Sequence, residues 1–354
     1  MTIQRYATPA AGRVHRLKGE ILANAIPVEV LGITGSNKKM PKNQGDNVVF
    51  RRWLPFGNVD NRWITPAATN AATNYSTAHI TVEGVTPSAD TLTPTDIPAV
   101  LQQYSALYAV TDKTVDLHED DIPSEMKKQT GQRIGLVREM VRYGTLQGAA
   151  TVLYAGGADR ANVQAAISLP LLRRITRTLR RNHASLITSI LAPSPNYETR
   201  AVEASYLVFC HTDVEADIRE LDGFVKVAEY GSRKPVHEME IGTCENFRFI
   251  LSPELAPILG AGLAVGATGL QATNNGGGAR VDVYPCIVCA EDAWGQVALR
   301  GVDSLDVTYL PPGSKDKNDP LGQRGYIGAK TWFTSVILND GWMGVLEVGV
   351  DDLV

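Results

Sequence analysis

Cysteine is scarce in this chain. Only Cys210, Cys244, Cys286 and Cys289 occur among 354 residues, too few for a disulfide scaffold at this length. Long apolar runs are missing too: no stretch approaches the roughly 18–20 uninterrupted apolar residues of a membrane helix. The opening MTIQRYATPAAGRVHRLKGE lacks the apolar core of a secretory signal, so the expectation is a protein made and used, or assembled, in a cytosol. Neither charge sign dominates, with 34 Lys+Arg against 38 Asp+Glu, and hydrophobic residues make up 44%. These values are ordinary for a folded protein. The length fits about two domains with a sizeable core, which excludes wholesale disorder.

Motifs that carry chemistry are also lacking. Gly260-x-Gly262-x-x-x-Gly266 misses the dinucleotide spacing, and Gly328-Ala-Lys330-Thr331 is only a near miss to a phosphate loop. Neither H-E-x-x-H nor G-x-S-x-G occurs. Cys286-Ile-Val-Cys289 has the C-x-x-C form, but a second pair is absent and its flanks read as strand. Residues three apart on a strand point to opposite faces, which favours buried small hydrophobes over zinc or redox chemistry. The six histidines are dispersed. His118-Glu-Asp-Asp121 has metal-ligand chemistry, yet it precedes a predicted helix, where acidic residues suit the dipole. His211 and Asp213 could pair near Cys210. The expectation is no enzyme, no metal and no cofactor.

What is present is architecture. Residues 1–52 hold Arg5, Arg13, Arg16, Lys18, Lys38, Lys39, Lys42, Arg51 and Arg52 against Glu20, Glu29 and Asp46, a basic arm suited to a polyanion or an acidic partner, or simply solvated. Asn47-Val-Val-Phe-Arg-Arg-Trp-Leu reads as a strand. About forty polar residues follow, from Gly57 to Pro98, with isolated apolar positions such as Trp63 and Tyr75. The run Ala99–Val110 reads as a second strand, with a helix as its alternative. Together these predict a projecting extended hairpin, ordered by something outside the chain. The spacing Met126, Thr130, Ile134, Val137, Val141, Gly144 predicts a long helix over 124–148, capped at Asp121 or Ser124 with Pro123 in its first turn. Gly131, Gly135 and Gly144 within it point to close packing on another backbone.

A second helix, predicted over 169–182, carries Arg173, Arg177 and Arg180 on one face and Leu172, Ile175 and Leu179 on the other. That face is either solvated or turned toward an acidic partner or nucleic acid. Beyond residue 185 the pattern is mixed, with strands at Tyr206–Cys210, Phe247–Leu251 and Cys286–Ala290, a helical turn near Asp213–Arg219, and a Gly/Ala-rich loop from Gly260 to Gly278. Residues 331–338 and 342–348, joined by Asn339-Asp-Gly341, predict a C-terminal hairpin.

Val152-Leu-Tyr-Ala-Gly-Gly157 and Arg174-Ile-Thr-Arg-Thr-Leu-Arg-Arg-Asn182 begin a series of blocks. It continues through Tyr206-Leu-Val-Phe-Cys-His-Thr-Asp213, Asp217-Ile-Arg219, Phe224-Val-Lys-Val-Ala-Glu-Tyr230, Glu240-Ile-Gly242, Phe247-Arg-Phe249, Tyr284-Pro285 and Trp294-Gly295. Its most specific pieces are Asp319-Pro-Leu-Gly-Gln-Arg-Gly325, Gly328-Ala-Lys-Thr-Trp-Phe333 and Ile337-Leu-Asn-Asp340. In order and spacing, from about residue 110 onward, these blocks resemble the N4-like family of tailed-bacteriophage major capsid proteins.

That resemblance implies an α+β, Hong-Kong-97-type capsid fold. Its parts would be an N-terminal arm (1–45), an extended β-hairpin loop (46–110), a peripheral domain with a long spine helix (111–185), an axial domain (186–304) and C-terminal strands of the peripheral domain (305–354). Function would then be self-assembly into pentamers and hexamers of an icosahedral head enclosing double-stranded DNA, in a virion assembled in the bacterial host cytoplasm. Partners would be other copies of the chain, the packaged DNA, and portal, scaffolding and cement proteins, with no membrane. Arg51, Arg52, Trp53, Trp63 and Tyr75 are the candidate inter-subunit contacts; Arg13, Arg16, Lys18, Arg173, Arg177 and Arg180 are the candidate DNA-facing residues. Residues 47–95 contain no lysine, so the Lys–Asn isopeptide weld of some relatives of this fold is not expected. No long helical leader precedes the arm, which implies scaffolding that is separate or already removed. The alternatives are a cargo-enclosing nanocompartment of the same fold and a soluble enzyme using the His211/Asp213 region.

Overall fold

The computed structural model describes residues 29–41, 45–53, 81–86, 94–119, 121–191, 199–231, 233–265, 269–274, 278–299, 306–313, 315 and 319–353. Arg13, Arg16, Lys18, Trp63 and Tyr75 lie outside them. The chain divides into two units, residues 47–100 and the remainder.

In the larger unit, β1 (Ser36–Met40), β14 (Trp294–Leu299), β16 (Arg324–Ile337) and β15 (Asp306–Leu310) lie side by side in that order. β4 (Gln102–Thr111) also joins β16, in antiparallel register from Arg324↔Thr111 to Phe333↔Gln102. The long helix (Ile122–Leu146) packs on this sheet. Ile134 meets Ala106 and Ala329, and Met126 meets Val110 and Ile327. The Asp121 side chain accepts the Ser124 N–H at 3.2 Å, and these bonds hold its carboxyl below the usual range. The expected apolar stripe holds for the first half only. Past Ile134 the buried positions are Glu139, Arg142, Tyr143 and Leu146, and Gly144 is exposed. The inference of close backbone packing at the helix glycines is corrected as well. A Cβ at Gly131 or Gly144 meets nothing within 4 Å, and one at Gly135 meets the Glu29 side chain.

The second sheet of this unit orders β5 (Val152–Tyr154), β17 (Met343–Val348), β13 (Tyr284–Cys289), β7 (Thr199–Cys210), β10 (Phe247–Leu251), β9 (Glu240–Cys244) and β8 (Val225–Lys226), with β6 (Ile187–Leu191) on β7. β10, β13 and β17 are buried at every position, so apolar residues occupy both faces of each strand instead of alternating, with Arg248 and Glu347 as the charged exceptions. On one face Cys286, Val288, Val208, Phe249 and Leu346 pack against Leu172, Ile175 and Leu179 of the arginine helix (Leu169–Arg181). On the other, Ile287, Cys289, Phe209 and Val345 pack with Trp294 and Leu146. The two C-x-x-C cysteines therefore sit on opposite faces, both fully buried. Burial pushes the Cys289 thiol up to about 12. A small hairpin, β11 (Ala272–Asn274) with β12 (Ala279–Val281), interrupts the Gly/Ala-rich loop.

The expected C-terminal hairpin does not form. β16 pairs with β4, β14 and β15, whereas β17 pairs with β13 and β5 in the other sheet. Asn339-Asp-Gly341 is the crossover between them. Asp340–Trp342 is a short 3-10 turn in which Asn339 accepts the Gly341 N–H. The glycine packs closely on Asn182, 3.1 Å from a would-be Cβ. Each flanking strand is paired along both edges in its own sheet, and those ladders outweigh the local turn signal.

In the smaller unit, β2 (Asn47–Trp53) and β3 (Pro94–Val100) pair antiparallel from Asn47↔Val100 to Trp53↔Pro94. The predicted run Ala99–Val110 is divided. Residues to Val100 complete this hairpin, while β4, a strand and not the alternative helix, belongs to the five-stranded sheet.

Candidate functional site

The arginine helix positions its cations by sequence period. Its leucines and Ile175 bind it to the eight-stranded sheet, leaving Arg173, Arg174, Arg177, Arg180 and Arg181 exposed. Arg173 is partly neutralised by Glu245, with Nε at 2.8 Å from the carboxylate. The charge of Arg180 opposes the burial that raises the Tyr206 hydroxyl. Among the described residues Arg177 has no ion-pair partner. The three cations singled out from the sequence thus share a helix face but differ in commitment.

The hairpin of the smaller unit is a surface with little interior. Arg51 and Asp96 face each other in register and form a bidentate pair, Nε–Oδ1 2.7 Å and a guanidinium nitrogen to Oδ2 2.9 Å. The hydrogen bond and charge of Arg51 lower the Asp96 carboxyl. Alternation places Val49, Arg51 and Trp53 on one face with Pro98, Asp96 and Pro94 opposite them. On this face Val49 and Trp53 are about half exposed. Arg52 points to the other face, beside Thr95, so the structure separates the expected contact residues between two faces.

Three buried ionic clusters were not read from the sequence. Glu139 Oε1 accepts the N–H groups of Val30 and Leu31, both at 2.8 Å, and Oε2 accepts from Arg142 at 3.0 Å. Burial raises the Glu139 carboxyl, against the pull of Arg142 and the two amides. Arg248 sits between Glu240 and Glu203, at 3.4 and 3.3 Å, while the Tyr230 hydroxyl donates to Glu240 at 2.7 Å. Arg160 holds the buried Glu347 through two bonds of 2.8 and 2.6 Å. The one signal for the first cluster was an i,i+3 opposite-charge pair beside Tyr143 and Leu146 on a single helix face. The others join distant segments and leave no local trace.

The Glu139 and Glu240 carboxylates are completely buried and Glu347 nearly so. No group of three or more metal-ligating side chains occurs among the described residues. His211 Nδ1 accepts the Asp213 N–H at 3.1 Å, and the Asp213 carboxylate accepts the Tyr284 hydroxyl at 2.9 Å. Cys210 lies inside the core with its thiol raised by burial, so these residues make a turn cap and not a nucleophile–base pair.

No family model matches the chain. It is 20% identical over 346 residues to the major capsid protein of Pseudomonas phage KPP21, covering 87% of this chain and 85% of that protein. Its fold is that of the capsid of Ralstonia phage GP4 (TM-score 0.65, 12% identity, 100% of this chain and 99% of that one). It is similar also to the head of Helicobacter pylori bacteriophage KHP40 (TM-score 0.58, 10% identity, 99% and 98%). The capsid of the cyanophage P-SCSP1u is a further match (TM-score 0.56, 12% identity, 95% and 93%). A relative along most of the chain and a fold shared with solved phage capsids lead to one conclusion: the chain is a structural protein, the major capsid protein of a phage.

Proposed function

We propose that the chain is a Hong-Kong-97-type subunit of the N4-like kind, closing an icosahedral head as pentamers and hexamers around double-stranded DNA. The observation that carries this reading is the match to the KPP21 capsid protein over 87% of the chain. Self-assembly into a shell and a place in the virion come with the capsid role itself. The long helix on its five-stranded sheet supports a peripheral domain, and the eight-stranded sheet under the arginine helix supports an axial domain. Sheet membership favours moving β17 and the arginine helix into the axial part and β14 into the peripheral part. Residues 1–45 remain the arm, and 46–110 narrow to an extended loop built on the β2–β3 hairpin.

Assembly would take place in the bacterial host cytoplasm, with portal, scaffolding and cement proteins as further partners. With no lysine between residues 47 and 95, the shell would be held by many non-covalent contacts, each modest and strong together. Arg51, Arg52 and Trp53, with Trp63 and Tyr75, would meet neighbouring copies. Arg177 and Arg180, more than the Glu245-bound Arg173, would face DNA, together with Arg13, Arg16 and Lys18. A cargo compartment of the same fold is not favoured, because the similar proteins named above are phage capsids.

Light scattering with negative-stain imaging of the purified protein tests the assembly. Closed shells of uniform diameter containing DNA are expected, and a chain that stays monomeric or dimeric with scaffold present would refute it. Replacing Arg173, Arg177 and Arg180 by Gln should reduce DNA retention more than shell formation. Unchanged retention would remove this face from the DNA side.

A further inference from the structure

Residues 29–40 form a strap across the larger unit, fixed at three successive points. At its start the Val30 and Leu31 N–H groups converge on Glu139 Oε1. The Glu139 side chain is completely buried, and its other oxygen holds Arg142. Arg142 passes the contact on to Gln296 of β14 through Nε at 3.0 Å, lies 5.2 Å from the Phe333 ring of β16, and reaches Glu29 at 3.4 Å. Further along, Trp294 Nε1 donates to Thr34 Oγ1 at 3.2 Å. Gly35, at φ +94°, lies against the same indole, where a Cβ would come within 2.7 Å. β1 then runs parallel to β14 in register from Ser36↔Gly295 to Met40↔Leu299.

An apolar contact at the start of the strap would hold it close but not aligned. One carboxylate oxygen accepting two consecutive amides sets direction, because both N–H vectors must meet at one point. Buried polar groups are best attested in such registry roles. In a closed shell every copy must present its contact surfaces to its neighbours in an equivalent way. We propose that Glu139 is a positioning residue for assembly: it fixes the path of residues 29–40 across the larger unit, and through it the geometry between copies. The proposal rests on the shell reading above and adds a residue to it.

The test uses the full-length chain carrying Glu139→Ala or Glu139→Gln. Particles are imaged by negative stain, and amide exchange is followed in the peptide containing Val30 and Leu31. Glu139→Ala should speed exchange of those amides about tenfold or more and give open or mixed-diameter particles, with the circular dichroism of the unassembled subunit unchanged. Glu139→Gln keeps a carbonyl for the two amides and should restore protection and uniform shells. Uniform shells of wild-type diameter from Glu139→Ala, or unchanged exchange, would overturn the proposal. If Glu139→Ala does not fold, Glu139→Asp, shorter by one methylene, withdraws the oxygen from the two amides instead. Mixed diameters are again expected, and unaltered shells would overturn the proposal. A wild-type chain that builds no shell fails in the control and so refutes the shell reading itself.

Discussion

The eight-stranded sheet and the β2–β3 hairpin are both ladders of paired strands, one mixed and one antiparallel, yet they are stabilised in different ways. In the sheet, β10, β13 and β17 bury every residue between two layers, and alternate side chains enter two separate apolar clusters. In the hairpin, Val49, Arg51, Trp53, Asp96 and Val100 are all exposed, and one surface ion pair ties the strands. An isolated two-stranded ribbon is marginal in water. A region that carries its own core folds by itself, whereas a region that carries only a face needs a partner, which on the proposed reading is a neighbouring copy.

Substitutions should separate the two regions sharply. Phe249→Ala, in the middle of β10, should cost about 3–5 kcal/mol and prevent recovery of folded subunit, measured by denaturant unfolding. Arg248→Ala should cost about 3 kcal/mol, because Glu240 is left buried without its cation. The same unfolding experiment checks it, and a loss well below this would mean that water replaces the guanidinium. Trp53→Ala should leave the unfolding midpoint of unassembled subunits within about 0.5 kcal/mol of wild type while cutting shell yield about tenfold or more. An equal loss of subunit stability would erase the contrast between the regions.

Acidity offers a finer test. Burial pushes the Asp217 carboxyl up to about 6, above its unfolded value of about 3.9. The folded state then binds this proton more tightly than the unfolded state. The stabilisation is fully present below pH about 4 and is lost as pH rises through about 6. Asp217→Asn should therefore gain about 1–2 kcal/mol at pH 7 and flatten the stability profile between pH about 4 and 6, read from thermal unfolding across that range. The smallest effect is expected at Asp96→Ala. Its partner Arg51 is solvated, so subunit unfolding should not move, and only the salt dependence of assembly should change.

Much of the fold was legible because local periodicity carried it. The long helix was expected at 124–148 and spans Ile122–Leu146, and the arginine helix was expected within one residue of its end. The opposite faces of Cys286 and Cys289 followed from strand geometry alone. The capsid role was legible in the ordered blocks beyond residue 110. Pairing was not: Asn339-Asp-Gly341 has the composition of a hairpin turn, yet the flanking strands join different sheets. The Ala99–Val110 run was read as one strand because nothing local marks the break at Leu101, where the chain passes from one ladder to another. Of the candidate surface, the arginine face was readable from i,i+4 spacing, but the Glu245 pair that occupies Arg173 was not.

The sequence by itself determined which segments are helix or strand, which positions are apolar and where charge collects, since these depend on neighbours a few residues away. Tertiary structure alone decided which strands share a sheet and that Glu139, an ordinary helix glutamate by pattern, lies buried beneath Val30 and Leu31. The reason is physical. Burial and strand pairing are settled by groups that are distant in the chain, here Val30 and Glu139, 109 residues apart, and only the folded molecule brings those groups together.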